Sequence, residues 1–209
     1  MARGPFIALE GIDGTGKSTQ CRLLADWLRG RGFAVTQCAD PGGTPLGDQL
    51  RAILLDHRGD MGVVAEVFLF MASRAELVGR VIRPALEAGS AVVTDRFLLS
   101  NVAYQGHGGG LDPAEVWRLG RLSTGGLEPD LSVVLDLPSA QSLFRRDRLA
   151  DRMERRALAY HEAVRRGFLE EARARPDRVC VVDAAQPVEA VAASIVKEVT
   201  RVLGAAARA

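Results

Sequence analysis

Eight residues, Gly11-Ile12-Asp13-Gly14-Thr15-Gly16-Lys17-Ser18, combine three glycines, one lysine and two hydroxyls, and fit the pattern G-x-x-x-x-G-K-[ST]. Glycines let a loop turn tightly and bring backbone N–H groups against phosphate oxygens. A helix that starts where the loop ends adds the positive end of its dipole, and Lys17 extends along the phosphates. Ser18 supplies a hydroxyl suited to Mg²⁺. This chemistry needs a strand before the loop and a helix after it. Pro5 to Glu10 reads as a short buried strand, and Leu23, Leu24, Trp27 and Leu28 recur at helical spacing. The loop is therefore read as a site for ATP or GTP.

The elements that must position this loop alternate along the chain. Strands are expected at Pro5–Glu10, Phe33–Cys38, Ser90–Asp95, Leu131–Asp136 and Arg178–Asp183. Helices are expected from Leu46 to His57, Met61 to Ala88, Pro113 to Leu122, Ser139 to Arg146 and Arg156 to Ala174, with a last one opened by Pro187. The fold class is α/β: a P-loop NTPase-type three-layer fold, with a five-stranded parallel sheet and helices on both faces. Asp95 and Arg96 end the third predicted strand, where charged residues belong at a ligand crevice. Asp40 to Pro45 reads as a rigid turn facing the phosphate loop, and Gly106 to Gly110 as a loop. The helix from Met61 to Ala88 carries Val64, Val67, Phe68, Met71, Leu77, Val78, Val81 and Leu86, an apolar face broad enough for both the sheet and a second subunit.

Composition narrows the class further. A chain of 209 residues with 47% hydrophobic content can bury one good core, and no Pro/Ser/Gly linker divides it, so residues 1–209 are expected to form a single domain. A formal net charge of +1 gives no basis for a nucleic-acid or membrane surface, although arginines cluster between Arg145 and Arg156. Three widely spaced cysteines, Cys21, Cys38 and Cys180, have no metal-ligand spacing and suit a reducing cytoplasm. No run approaches the ~18 apolar residues of a membrane span. His57, His107 and His161 show no metal-binding or nucleophilic arrangement and read as surface or loop residues, whereas Trp27 and Trp117 read as core.

With these motifs placed, the chain resembles the bacterial thymidylate kinases from Phe6 to about Val199. The resemblance rests on Glu10 to Thr19, Pro41-Gly42-Gly43-Thr44-Pro45-Leu46-Gly47 with Arg51, and Phe70-Met71-Ala72-Ser73-Arg74. It continues through Asp95-Arg96-Phe97, Ser100 to Gly106, Asp151-Arg152-Met153-Glu154 and Val182-Asp183-Ala184. It implies ATP- and Mg²⁺-dependent transfer of a phosphoryl group to dTMP by a homodimer. Gly14 stands where one class of the family places an arginine, so this chain resembles the class that supplies the charge from a lid, here about Arg145 to Arg156. Three departures stand out. Ala39-Asp40 replaces the usual Arg-Glu, Gly109 replaces a frequent arginine, and the segment between Arg145 and Asp151 is a few residues short.

Phosphoryl transfer spreads charge over phosphate oxygens, so the protein needs cations more than a base. Lys17 is assigned to the β/γ phosphates, Arg51 and Arg96 to the acceptor phosphate, and Arg148 and Arg152 to the lid. The competing reading of Arg96 is a structural ion pair. Asp95 either orients Mg²⁺, together with Ser18, or pairs with Arg96. The resemblance extends the ATP site over Gly11, Ile12, Asp13, Gly14, Thr15, Gly16, Lys17, Ser18 and Thr19. It turns Asp13 toward the acceptor sugar and has Asp183, Ala184 and Gln186 hold adenine. It also places Asp40, Pro41, Phe70, Arg74, Ser100, Asn101, Tyr104 and Gln105 around the acceptor. Phe70 and Arg74 lie one helical turn apart, and the Asn101 and Gln105 amides can each donate and accept toward a thymine edge. A kinase for dUMP or a modified pyrimidine deoxynucleotide is one alternative. A non-catalytic nucleotide-binding module is another.

Overall fold

Period-two alternation along the first strand decides how the sheet is covered. In the computed structural model, which describes residues 3–57, 59–144, 152–154 and 156–206, β1 (Phe6–Glu10) is buried throughout. Ile7 and Leu9 enter one apolar cluster with Leu24, Leu28, Val191 and Ile195. Phe6 and Ala8 enter another with Met71, Leu77, Val92 and Val102. A strand covered on both faces needs helices on both sides, and the first cluster is supplied by α1 (Lys17–Gly30) and α9 (Val188–Ala206).

The remaining strands are β2 (Val35–Ala39), β3 (Ala91–Asp95), β4 (Leu131–Asp136) and β5 (Val179–Asp183). They pair in the order β2-β3-β1-β4-β5, and every pairing is parallel. Because all strands run the same way, their carboxyl ends share one edge of the sheet. Leu9 is in register with Asp95, which sets the phosphate loop after β1 beside the residues that follow β3. The five predicted strands are all present, with boundaries moved by a residue or two.

Local chemistry sets several helix ends. Thr44 caps α2 (Pro45–Asp56) by accepting from Gly47 N at 3.0 Å, with Pro45 in the first turn. Asp112 does the same for α6 (Pro113–Thr124), accepting from Ala114 N at 2.9 Å. The long predicted helix is α3 (Val63–Leu77), a widened π-helical turn (Val78–Ile82) and α4 (Arg83–Glu87) in direct succession. Pro84 lacks an N–H and crowds the preceding turn, and the widened turn accommodates it without ending the helix. α7 spans Ser139–Phe144, and α8 spans Leu158–Ala174. Arg145, Arg146, Arg148, Asp151 and Arg155 of the expected lid lie outside the described residues.

Two sequence expectations are corrected, and the two sides of the apolar helix are told apart. Of the stretch read as a glycine loop, Gly106 to Gly108 are helical and Gly109 and Gly110 form a turn: α5 (Leu98–Asn101) runs into a π-helical segment, Val102–Gly108. Contact with α8 overrides the loop-forming tendency of the glycines, since a Cβ on Gly108 would stand 2.6 Å from Val164. His161 is a core residue at 1% exposure, with Nε2 3.3 Å from the Glu154 carbonyl oxygen. Val67 faces inward at 1% exposure, and the outer apolar residues of α3 are Val64 and Phe68. Among the described residues, no helix is long and apolar enough to cross a membrane.

Candidate active site

A cleft of about 480 Å³ opens where the carboxyl ends of β1 and β3 meet. The phosphate loop contributes Asp13, Gly14, Gly16, Lys17, Ser18 and Thr19, and Asp95 and Arg96 extend from β3. The turn after β2 brings Asp40 and Pro41, α2 brings Arg51, and α3 brings Phe70 and Arg74. Ser100, Asn101, Tyr104 and Gln105 close the far side. The loop keeps its shape partly through close packing. Gly14 has a φ of 79°, and a Cβ there would meet the Ser142 carbonyl oxygen at 2.4 Å, so an arginine at this position would strain the loop against α7.

Positive charge converges on the loop. Lys17 Nζ donates to the Ile12 carbonyl at 2.8 Å, and Thr15 Oγ1 donates to the same oxygen at 2.9 Å. Burial, helped by the nearby Arg96, lowers the Lys17 ammonium to about 8 against the opposing pull of Asp13, Asp95 and Glu10. Arg96 adopts a left-handed backbone with a φ of 69°, rare for a non-glycine residue, and its N–H donates to the Leu9 carbonyl at 2.9 Å. This turn aims the guanidinium across the loop. Nη1 donates to the Gly11 carbonyl at 2.8 Å and Ser100 Oγ at 3.1 Å, while Nη2 donates to Asp13 Oδ1 and to the Tyr104 hydroxyl.

Arg96 thus pairs with Asp13, while Asp95 Oδ2 accepts from Ser18 Oγ at 2.6 Å. Burial would raise the Asp13 carboxyl, but Arg96, Lys17 and the Tyr104 hydroxyl hold it well below the usual range. The Ser18 hydroxyl and Asp95 carboxylate together form a small set of hard oxygen donors, the type Mg²⁺ takes alongside phosphate oxygens. Behind them, Glu10 accepts from Phe97 N at 2.9 Å and Ser100 Oγ at 2.6 Å and is fully buried. Desolvation pushes its carboxyl up to about 7, despite those bonds and the charges of Arg96 and Arg74.

On the opposite side, Arg74 is 1% exposed and gives Nε to Asp40 Oδ2. Burial raises the Asp40 carboxyl, and Arg74 opposes the rise. Phe70 is half-buried and borders the cleft rather than the core. Arg51 Nη1 donates to the Pro41 carbonyl at 2.7 Å, which fixes the turn beside it. The cleft therefore joins an end lined by the glycine loop, Lys17 and Arg96 to an aromatic and amide-lined end.

A family model described as thymidylate kinase matches residues 9–195. The chain belongs to the thymidylate kinase family. A thymidylate kinase of Symbiobacterium thermophilum is 47% identical over 201 residues, covering 95% of this chain and 94% of the relative. One from Clavibacter michiganensis is 46% identical over 209 residues, covering 99% of each. A crystal structure of thymidylate kinase from Ehrlichia chaffeensis superposes with a TM-score of 0.75 at 30% identity, covering 94% of this chain and 99% of that one.

Membership of the thymidylate kinase family makes the chain's departures informative. Where the family resemblance leads to Arg-Glu, Asp40 occupies the second position, and its shorter carboxylate still reaches Arg74. Of the remaining predicted residues, Gly11, Ile12 and Thr15 support the loop from below. Asp183 ends β5, Ala184 and Gln186 follow in the turn after it, and none of the three lines the cleft. In that turn Asp183 accepts from Ala185 N and Gln186 Nε2, both at 2.9 Å, and these bonds lower its carboxyl. Arg148 lies outside the described residues. Arg152 is described, but it does not line the cleft: Nε donates to the Leu54 carbonyl at 2.8 Å and Nη2 to Glu66 at 2.6 Å.

Sequence reasoning missed Glu10 and Glu66, which lie behind this site and hold residues that line it. Glu10 carried a signal, because it closes the strand that precedes the phosphate loop. Glu66 carried none, since a carboxylate in an apolar helix is identified only by its distant partners. Met153 and Glu154 also border the cleft.

Proposed function

We propose that the chain transfers the γ-phosphoryl group of ATP to dTMP, giving dTDP and ADP. One observation carries this reading: a single cleft has Lys17 and Arg96 at one end and Phe70, Arg74, Asn101 and Gln105 at the other. A loose transition state needs its two anions aligned and their charge neutralised, and among the described residues Lys17, Arg96 and Arg51 are cations suited to that task. Lys17 is assigned to the transferring phosphate, and Arg51 and Arg96 to the acceptor phosphate. Asp13 and Tyr104 orient Arg96 and face the acceptor sugar. Phe70 stacks on the base, while Arg74 and the two amides meet its edge.

Ser18 and Asp95 are the residues that would hold Mg²⁺. Bound there, it would neutralise charge on the phosphates. Adenine is assigned to the turn at Asp183, Ala184 and Gln186, beside the start of α9. Arg148 is assigned to the lid over the phosphates, with the whole chain acting as one kinase unit. Arg152, engaged by Glu66, fits a supporting role better than contact with the transferring group. A homodimer through the helix at residues 63–87 is supported by Val64 and Phe68, which are 52% and 56% exposed. The cytoplasm, where ATP is made available, suits this activity.

Turnover of dTMP, dUMP, UMP, dCMP and dGMP at equal concentration with ATP and Mg²⁺ tests the proposal. The expected order places dTMP first, with dUMP about 10–200-fold lower for want of one methyl group. A higher kcat/KM for dCMP or dGMP would reject the assignment, as would inertness toward every monophosphate.

A further inference from the structure

Three guanidinium groups, which can only donate hydrogen bonds, are joined through two amides and one carboxylate beside the cleft. Arg74 donates through Nη2 to Asn101 Oδ1. Asn101 Nδ2 donates to Gln105 Oε1 at 2.8 Å, and Gln105 Nε2 donates to Glu66 Oε1 at 2.7 Å. From the other direction, Arg152 and Arg156 donate to Glu66 Oε2 at 2.6 and 2.8 Å. Arg74, Asn101 and Gln105 line the cleft, whereas Glu66 lies behind it with no exposed surface.

A guanidinium has donors and no acceptor, while a side-chain amide has one donating and one accepting end. Each amide therefore passes the direction of hydrogen bonding from one neighbour to the next. With arginines at both ends, the two directions run toward each other, and the residue where they meet must accept on both sides. A carboxylate meets that demand, and an amide at the same place cannot. We propose that Glu66 is a positioning residue that fixes which ends of the Asn101 and Gln105 amides face the base, and thereby sets pyrimidine specificity. The inference rests on the reading of the cleft as a dTMP site.

The base edges explain why direction matters. Thymine presents a carbonyl, an N–H and a second carbonyl. Cytosine has an amino group in place of one carbonyl and no proton on the adjacent ring nitrogen, so donor and acceptor change places at two neighbouring positions. Amides held one way round favour one of these edges. Amides free to turn favour neither, and the enzyme loses discrimination rather than turnover.

Replacing Glu66 with glutamine forces a conflict in every arrangement. If the new carbonyl faces Gln105, the new NH₂ group faces two arginines. If it is reversed, both amides must turn, until Asn101 presents its NH₂ to Arg74. Removing the opposing arginines relieves the conflict, because the new carbonyl can then serve Gln105 alone.

The test compares wild type, Glu66→Gln, and the triple variant Glu66→Gln/Arg152→Met/Arg156→Met. The readouts are kcat and KM for dTMP and dCMP and the melting temperature without nucleotide. Wild-type turnover of dTMP, measured first, tests the functional reading alone. A site built to pair a polar edge rejects the mismatched one by about 10⁴-fold. Glu66→Gln should lose at least about tenfold of the dTMP/dCMP ratio, mainly through KM, and the triple variant should regain it. Ligand-free melting should place wild type and the triple variant above Glu66→Gln, an order that holds whatever the substrate. Where Glu66→Gln alone does not fold, a folded triple variant with the wild-type ratio supports the proposal. An unchanged ratio in Glu66→Gln overturns it, as does a triple variant that fails to fold or keeps the impaired ratio.

Discussion

Arg96 reaches across the phosphate loop to Asp13, with Nη2 and Oδ1 paired while both side chains remain under 20% exposed, at 17% and 19%. The pair shares Tyr104, whose hydroxyl donates to Asp13 Oδ2 at 2.9 Å. A guanidinium held by a carboxylate, a phenol and a backbone carbonyl is fixed in direction before any phosphate arrives, so little reorganisation is needed when charge develops. Burial disfavours its charge, but Asp13 and the neighbouring Tyr104, Asp95 and Glu10 raise the Arg96 pKa further above its already high value.

Arg96→Ala is expected to lower turnover of dTMP by roughly 10³-fold or more, by comparison with other arginines that meet a transferring phosphoryl group. The fold should persist, because the strand and its neighbours do not depend on this guanidinium. Steady-state kinetics with circular dichroism on the same preparation checks both parts. Near-normal turnover in a folded variant would remove Arg96 from the assigned role.

Lys17 gives a prediction in pH. Burial and Arg96 lower its ammonium to about 8, so the free protein holds the charge below that value and loses it above. The kcat/KM profile for ATP should fall on the alkaline side with an apparent pKa near 8. Bound phosphates favour the ammonium, so the limb in kcat should lie at higher pH. Lys17→Met should remove about 10³-fold of turnover, together with the limb. A wild-type profile flat from pH 7 to 10 would contradict the assignment.

The phosphate loop was legible in the sequence because its chemistry is local: glycines, Lys17 and Ser18 fall within eight residues, between a strand and a helix. The strands were legible to within two residues: β1, β3 and β4 are covered on both faces and carry near-continuous apolar runs, while the partly exposed β2 and β5 were marked by short β-branched stretches. The orientation of α3 was not. With Val63, Val64, Val67, Phe68, Phe70 and Met71 in sequence, the helix is apolar nearly all round, and periodicity could not distinguish inward Val67 from outward Phe68. Glu66 was invisible for a related reason, since its partners Gln105, Arg152 and Arg156 lie 39 to 90 positions away. Gly106 to Gly108 were misread as loop because glycine's local preference gave way to packing against α8.

Glu10 predicts an unusual dependence of stability on pH. Its carboxyl is pushed up to about 7 by burial, from an ordinary value of 4.5. The folded protein therefore binds more protons than the unfolded chain between these limits, and stability falls as pH rises from about 4.5 to 7. The loss attributable to this group is on the order of 3 kcal/mol, given the rise from 4.5 to about 7. Glu10→Gln keeps an acceptor for Phe97 N and has no charge to desolvate. It should match wild type at pH 4.5 and exceed it in urea midpoint at pH 8. Parallel stability curves for the two proteins across this range would refute the account.

The proposed dimer makes a prediction that separates two neighbouring residues. Val64 and Phe68 lie one turn apart on α3 and are more than half exposed, and Leu46 and Ile53 of the adjoining α2 are each 47% exposed. An apolar surface shared by two packed helices is suited to a second copy of the same chain, which would bury it symmetrically. Phe68→Asp places an unpaired charge in that contact and should weaken dimerisation by roughly 100-fold or more. Because Phe68 is 56% exposed, the monomer should keep its fold and melt with an unchanged profile in dilute solution. Val67→Asp should behave differently. At 1% exposure its carboxylate enters the core beside β1, so the fold itself should fail. Sedimentation at micromolar concentration, paired with thermal melting, distinguishes the two variants: a folded monomer for Phe68→Asp and loss of structure for Val67→Asp. A wild-type chain that sediments as a monomer, or a Phe68→Asp protein that stays dimeric, would rule out this face as the interface.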